Sequence, residues 1–339
     1  MKAVGYYQSL PIDKPEALVD VELPKPTPEG RDLLVEIKAV SVNPVDSKQR
    51  KRAQPQPGAP AAVLGYDAAG VVAAVGPQCR LFKPGDAVFY AGSITRPGTN
   101  AQFHLVDERI VGPKPRTLGF AAAAALPLTT ITAWEMLFDR FGVRPGKPAE
   151  AGTLLIVGGA GGVGSIAIQL ARRLTGLTVV ATASRPETRQ WCLELGAHHV
   201  VDHGRKLEDG LKAIGLPMVE YIFSTNATEQ HFPEFADIVA PQGRVGLIES
   251  GTGVIDARVL MPKSASLHWE LMFTRPRFGT PDMIAQHKLL AEVSALVDAG
   301  VIRTTHSETL GPINAANLRK AHALIESGKT RGKLVLEGF

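Results

Sequence analysis

One short run, Gly158-Gly159-Ala160-Gly161-Gly162-Val163-Gly164, constrains this chain more than any other segment. It follows Thr153–Val157 (TLLIV), a continuous apolar run of the kind expected of a strand buried on both faces. It opens Ser165–Leu174, where Ile166, Leu170 and Leu174 fall on one face at i, i+4 and i+8, the period of an amphipathic helix. Gly159, Gly161 and Gly164 form G-x-G-x-x-G in the strand–turn–helix context that gives this pattern its meaning. One glycine permits the tight turn. Another lets backbone N–H groups approach a pyrophosphate, and the third lets helix and strand pack closely. The helix start, with Gly162 and Val163, offers partial positive charge to the phosphates. No Lys-Ser/Thr pair follows the glycines, which excludes a P-loop.

The next strand, Leu177–Ala183, indicates which dinucleotide is held. An NAD site carries Asp or Glu about 20 residues past the glycines, to accept from the ribose 2′-hydroxyl. That place holds Ala183-Ser184-Arg185, with Arg189 one helical turn on. No acid is present to repel a 2′-phosphate, and a hydroxyl and two guanidinium groups suit one. NADPH is the expected cofactor, with Ser184, Arg185 and Arg189 at its phosphate.

Beyond the loop, strand and helix alternate. Pro186–Leu195 reads as a helix, with Pro at its start and Gly196 past its end. His199–Val201, Val219–Ser224 and Arg244–Ile248 read as strands. This alternation predicts a parallel sheet with crossover helices. Residues 1–115 differ. Val19–Leu23, Leu33–Val40, Gly70–Val75 and Ala87–Tyr90 are short runs separated by Pro and Pro-Gly turns, the pattern of a small β-barrel or sandwich. Phe120–Ala125 and Trp134–Phe138 read as helical. The tail is mixed: strand-like Leu267–Phe273, a helix over Lys288–Ala299 closed by Gly300, and a last strand at Lys333–Leu336. One economical arrangement returns this tail to the first domain.

Composition closes off other classes. A length of 339 residues, 45% hydrophobic and 21% charged, suits a globular protein of two domains. The two cysteines, Cys79 and Cys192, exclude a disulfide framework, a four-thiolate zinc site and an iron–sulfur cluster, and fit a reducing compartment. The first residues lack the apolar core of a secretory signal. The longest apolar run, Phe120–Leu128, contains Pro127 and is too short to cross a bilayer, so no membrane partner and a cytoplasmic location are expected. The net charge of +4 includes one dense basic cluster, Lys48–Arg52, which reads as a solvated loop. With aromatics at only 6%, nucleic-acid binding is not expected. His198, His199 and His203 have no cysteine or carboxylate cluster nearby in sequence and read as a strand with its following loop.

Further segments stand in a telling order along the whole chain: Asn43-Pro44-Val45-Asp46, Gly65-Tyr66-Asp67-Ala68-Ala69-Gly70, Leu126–Trp134, the glycine loop, and Gly332-Lys333-Leu334-Val335-Leu336. Together they resemble the medium-chain dehydrogenase/reductase superfamily, and within it the quinone oxidoreductase-like proteins. Ser266–Arg275 (SLHWELMFTR) resembles a subgroup labelled zinc-type alcohol dehydrogenase-like. The resemblance implies an α/β chain. Residues 1–125 and 266–339 would form a GroES-like β-rich catalytic domain, and residues 126–265 a Rossmann doubly wound parallel sheet. It implies that Asn43, Asp46, Lys48, Tyr66 and Thr130 lie near the nicotinamide. It likewise implies that Asn226, Leu247, Ile248 and Phe273 line the nicotinamide, that His203 touches the adenosine, and that Lys333 either reaches the cofactor or merely flanks the last strand. A homodimer joined through an edge strand near residues 245–259 is implied too.

Zinc alcohol dehydrogenases of this superfamily take catalytic ligands from an early Cys and from the His of a Gly-His-Glu motif. Those positions hold Asn43 and Tyr66 here, with Asp67 for the Glu, and Asn and Tyr are poor zinc ligands. No metal is expected. Without a Lewis acid, alcohol oxidation loses its usual means of stabilising alkoxide. Hydride transfer from NADPH to a quinone or an α,β-unsaturated carbonyl is then the expected reaction, with hydrogen-bond donors on the remote oxygen. Asn43 is a candidate donor to the substrate oxygen or the cofactor. Lys48 stands where many relatives carry Tyr. It is either a proton donor, oxyanion stabiliser or phosphate contact, or the first residue of a solvated loop. Two other readings stay open: a zinc-type alcohol dehydrogenase, and an NADPH-binding protein with a structural, sensing or RNA-binding role.

Overall fold

The Pro- and Gly-punctuated runs at the start of the chain form β1 (Lys2–Tyr6), β2 (Val19–Glu22), β3 (Asp32–Val42), β4 (Ala62–Val63), β5 (Asp67–Val75), β6 (Ala87–Ala91), β7 (Phe103–Asp107) and β8 (Val111–Pro113) in the computed structural model. Helix α1 (Pro44–Arg52) follows β3, and α2 (Phe120–Ala124) and α3 (Pro127–Trp134) follow β8. The alternating stretch then gives β9 (Thr153–Val157), α4 (Gly162–Leu174), β10 (Thr178–Thr182), α5 (Pro186–Leu195), β11 (His199–Val201), α6 (Leu207–Ala213), β12 (Val219–Ser224), α7 (Thr228–Ile238), β13 (Val239–Leu247) and β14 (Ser266–Trp269). The tail adds α8 (Thr274–Phe278), α9 (Ala285–Asp298), β15 (His306–Thr309), α10 (Ala315–Glu326) and β16 (Lys333–Glu337). The structure describes residues 1–56, 58–148, 151–251 and 253–339.

The chain divides into two units, Met1–Leu128 with Phe273–Phe339, and Thr129–Met272. In the first, one sheet runs β15-β16-β3-β5-β6-β8 with β7 also on β3, and a second runs β2-β1-β4. The C-terminal strand is therefore an integral member of this unit. Antiparallel pairing sets Leu334 opposite Val42 and Val335 opposite Ser41, which brings Lys333 to the end of β3. Alternate residues of β3, among them Leu33, Val35 and Ile37, feed the core.

The second unit holds a parallel sheet in the order β11-β10-β9-β12-β13-β14. Its strand order reverses beside β9, and ligands of such sheets bind at the carboxyl ends of the strands there. The α/β fold implied by the sequence is the one observed. The chain passes from one unit to the other at 128/129 and 272/273, whereas the sequence reading placed the divisions at 125/126 and 265/266. Parallel pairing of Val245 with Leu267 holds residues 266–269 in the second unit's sheet. For the same reason β14, and not residues 245–259, is the sheet edge; Thr252 lies outside the described residues.

Two sequence readings need correction. The basic cluster is not a loop. It ends α1, where the Arg50 side chain is fully buried, donates to the Leu10 carbonyl and pairs with Glu326 of α10 at 2.5 Å. Lys51 reaches the same carboxylate at 2.9 Å. The apolar segment is also longer than it read: Phe120–Arg140 has the length and composition to cross a membrane, but 78% of its most apolar 18-residue stretch is buried within the protein, as in a core helix.

Candidate functional site

The glycine loop leaves the end of β9 beside the start of α4. Gly158 has φ +84°, a left-handed conformation that favours glycine, and a Cβ there would lie 2.7 Å from Thr225 Oγ1. A Cβ on Gly159 would meet the Ala181 Cβ at 2.7 Å, and one on Gly164 would meet the Gly158 carbonyl oxygen at 2.3 Å. These three glycines are demanded by the fold's own packing. Gly161 is different: a Cβ there would find nothing nearer than the Gly158 oxygen at 3.5 Å. Its bareness answers no internal crowding and leaves the loop open to a ligand. Gly161 caps α4, and the N–H groups of Gly162 and Val163 at its first turn have no intrahelical acceptor.

Thr182, at the end of β10, braces this cradle, a role sequence reasoning missed. Its Oγ1 accepts from Gly158 N at 3.0 Å and lies 2.9 Å from His203 Nδ1. Only the pairing of neighbouring strand ends reveals it. The His203 ring packs edge-on against His231, and burial, with His231 nearby, lowers its pKa below the usual imidazole value. Ser184 is exposed just beyond β10. Arg185 caps α5 with its guanidinium partly exposed, 3.3 Å from the Glu187 carboxylate. Arg189 is tied down: it donates to the carbonyls of Ala183 (3.4 Å) and Val200 (2.9 Å), stitching β10 to β11. Asn226 is exposed after β12 and approaches Gly158, Leu247 is buried at the end of β13, and Ile248 is half-buried. The Thr130 hydroxyl is fully buried and has no hydrogen-bond partner among the described residues.

The first unit contains a buried charge network. Asp67 is fully buried; its Oδ1 accepts from Leu128 N at 2.8 Å, and its Oδ2 accepts from Asn43 Nδ2 at 2.8 Å and from Lys333 Nζ at 3.0 Å. Lys333 also donates to the Val42 carbonyl at 3.1 Å and to Asn43 Oδ1, so all three of its protons are used. Burial raises the Asp67 pKa, opposed chiefly by Lys333. Asp46 lies alongside, accepting from Asn43 N at 2.6 Å and Gly65 N at 3.1 Å. Burial pushes its carboxyl up to about 7. Tyr66 is buried, with its ring edge-on to Phe273 at 5.1 Å. Burial raises its pKa and keeps the phenol protonated, and its hydroxyl has no protein partner among the described residues.

This geometry revises the expectation for Asn43, selects between the two readings of Lys333, and leaves both readings of Lys48 open. Asn43 is not a free donor, because its Nδ2 is committed to Asp67 and, at 3.4 Å, to the Ser41 carbonyl, while its Oδ1 accepts from Lys333. Lys333 does not reach out to a cofactor; it is buried, with every proton engaged inside the first unit. Lys48 is exposed on α1 and has no hydrogen-bond or ion-pair partner among the described residues.

Residues 29–129 match the alcohol dehydrogenase GroES-like domain, and residues 195–336 match the zinc-binding dehydrogenase family. The chain is 41% identical over 337 residues to a zinc-type alcohol dehydrogenase-like protein of Staphylococcus aureus, covering 99% of both. The chain belongs to the medium-chain dehydrogenase/reductase superfamily. It is an oxidoreductase by that membership. It is also 38% identical to a 2-methylene-furan-3-one reductase of Solanum lycopersicum, covering 99% of this chain and 79% of that one. Against the quinone oxidoreductase of Mus musculus the identity is 28%, covering 99% and 97%. Among solved structures, a Rhizobium etli protein named for zinc-dependent alcohol dehydrogenase is 60% identical with a TM-score of 0.95, covering 100% and 98%. A Coxiella burnetii quinone oxidoreductase is 26% identical with a TM-score of 0.82, covering 100% and 99%.

Two of these relatives are named for zinc-type or zinc-dependent enzymes, and zinc places definite demands on a donor set. Zinc sites use thiolate, imidazole or carboxylate donors, with three protein ligands around a catalytic ion. Here the two positions that the resemblance matches to zinc ligands hold an amide already bonded on both its atoms and a phenol packed on Phe273. Asp67, the remaining oxygen donor, faces an ammonium. His198 and His203 do not converge on a common point as ligands: Nδ1 of His198 accepts from Val179 N at 2.9 Å, and that of His203 meets Thr182. No group of three or more His, Cys, Asp or Glu able to hold a metal occurs among the described residues. These residues do not fit zinc.

Proposed function

We propose that this chain is an NADPH-dependent, zinc-independent reductase of quinones or α,β-unsaturated carbonyl compounds. The observation that carries this reading is the chemistry of Asn43 and Tyr66, which the resemblance matches to zinc-ligand positions: an occupied amide and a protonated phenol. Reduction of a conjugated carbonyl needs a hydrogen-bond donor on the oxygen that gains charge, not a metal. Tyr66 supports that role, because burial keeps its proton in place and no protein group among the described residues takes it. Asp67 and Lys333 hold Asn43, which begins α1, and Asp46 binds Gly65 N next to Tyr66. Tyr66 is thus anchored from its own backbone neighbours.

Bound NADPH supplies the hydride. The residues present suit it: the open face at Gly161, the free N–H groups of Gly162 and Val163, and the orphaned Thr130 hydroxyl all favour a polar ligand. Ser184 and Arg185, with no acid at the end of β10, favour the 2′-phosphate. Arg189 contributes positive charge from a fixed position.

We further propose a homodimer joined at the β14 edge, where Trp269 is 51% exposed. The free thiols of Cys79 and Cys192 favour a cytoplasmic setting. The test is NADPH oxidation against 9,10-phenanthrenequinone, 1,4-benzoquinone, acrolein-type enals and simple aldehydes, with and without chelator. Turnover of quinones or enals that survives chelation supports the reading. Turnover of aldehydes alone, abolished by chelator and restored by zinc, overturns it.

A further inference from the structure

We propose that the Lys333 ammonium is a built-in cation, holding the Asn43–Asp67 pair by its charge and, through it, the start of α1. The proposal deepens the zinc-free reading of the same site. Two strands meet there by antiparallel pairing, Leu334 opposite Val42, so the last strand carries Lys333 to the end of β3. Three oxygens surround Nζ: the Val42 carbonyl, Asn43 Oδ1 and Asp67 Oδ2. An ammonium has three protons to give, and three acceptors take them.

Burial makes the charge matter. The Lys333 side chain is 3% exposed and that of Asp67 is fully buried, so neither ion is repaid by water. Removing one partner leaves the other charge stranded, whereas removing both takes the ion pair out and leaves Asp46, held by the Asn43 and Gly65 N–H groups, as the neighbouring carboxyl. The ammonium also fixes the Asn43 amide: with Oδ1 accepting from Lys333, Nδ2 must face Asp67 and Ser41. Asn43 in turn starts α1, and its N–H binds Asp46, which holds Gly65. A coordination shell with no vacancy distinguishes this cation from a catalytic metal. It organises the residues around it but has no position to offer a substrate. Lys333 is therefore a structural cation of the first unit.

The test compares charge with shape. Lys333→Met keeps most of the side-chain volume and removes the charge; we expect its melting temperature to fall by about 10 °C. Adding Asp67→Asn to Lys333→Met should recover at least half of that loss. Lys333→Ala leaves room for the missing propylammonium, so overnight equilibration with n-propylammonium should raise its melting temperature in a saturable manner. Tetramethylammonium at equal ionic strength should not. If Lys333→Ala fails to fold, the Met variant and the double variant still decide. A Lys333→Met protein as stable as the parent, a double variant no better than the single one, or equal effects of the two ammonium salts would overturn the proposal. Zinc content of the parent protein, measured separately after equilibration with zinc and gel filtration, reads the zinc-free function on its own.

Discussion

Replacing Gly161 and Gly164 separately by alanine separates what the fold demands of the glycine loop from what a ligand demands. A Cβ at position 164 would stand 2.3 Å from the Gly158 carbonyl oxygen and 2.7 Å from the Gly159 Cα. Both are backbone atoms, so the contact is relieved only by moving the loop. Overpacking of this kind costs about 1–3 kcal/mol or more. The better helix propensity of alanine returns up to about 1 kcal/mol. A net loss of about 2 kcal/mol lowers the melting temperature of a unit this size by about 4–8 °C. Position 161 is roomy, with φ −70° and nearest contact 3.5 Å. Alanine there costs only the small N-cap preference for glycine, well under about 1 kcal/mol, or roughly 2 °C. Its methyl group would nonetheless occupy the face a pyrophosphate needs. We expect Gly161→Ala to weaken NADPH binding at least ten-fold, about 1.4 kcal/mol, with a near-parental melting curve. Differential scanning fluorimetry and a titration of NADPH fluorescence measure the two effects. Equal destabilisation by both variants would refute the packing argument, and unchanged NADPH affinity in Gly161→Ala would refute the cradle.

Arg185→Ala should raise the KM for NADPH about ten-fold and leave that for NADH unchanged, since about 1.4 kcal/mol of phosphate contact is lost with one cofactor only; equal effects reject the 2′-phosphate assignment. Arg189→Ala should instead lower the melting temperature, because it frees the carbonyls of Ala183 and Val200. Glu270 is buried against Glu135, and burial first, then that neighbour, push its carboxyl up to about 9. A carboxyl raised in the folded state binds its proton more tightly there than when unfolded. Stability therefore falls as pH climbs from the ordinary carboxylate range towards about 9. Glu270→Gln should flatten the decline between pH 7 and 9 in thermal melts, and an unchanged slope would show that another group carries it. Arg50→Met should lower the melting temperature by several degrees, because the Leu10 carbonyl loses its donor and Glu326 keeps only Lys51; parental stability would show the Arg50 contacts to be dispensable.

The second unit was legible because its signals are local. Thr153–Val157, Pro186–Leu195, His199–Val201 and Val219–Ser224 occupy the spans their periodicity and turn residues predict. The glycine loop lies where strand, turn and helix require it. What escaped the sequence depends on contacts between distant segments. Lys48–Arg52 reads as solvated because five consecutive polar residues carry no apolar stripe. Its burial rests on Arg50 finding Glu326, far along the chain. Thr182 looks like any strand-end threonine until β10 is paired with β9 and Gly158 comes into reach. Arg189 reads as a phosphate ligand by spacing, but two carbonyls exposed at the ends of neighbouring strands claim it first.

Asn43 and Lys333 show why residue type and position alone misassign a site. Each was placed at the substrate or the cofactor by resemblance, and each is spent on the other. The consequence for chemistry follows from counting protons. A cation with an open coordination position can polarise a substrate oxygen directly, but an ammonium whose protons are all given to protein acceptors cannot. Stabilisation of developing negative charge must then come from a donor that still has a proton to give. In the first unit Tyr66 meets that requirement: its hydroxyl lacks a protein acceptor among the described residues, and burial keeps it protonated. Tyr66→Phe should therefore lower kcat by at least ten-fold with little change in NADPH affinity, a loss of about 1.4 kcal/mol or more from the transition state alone. If kcat is unchanged in Tyr66→Phe, the proton donor is elsewhere, and the division of labour between a buried organising cation and a buried phenol is wrong.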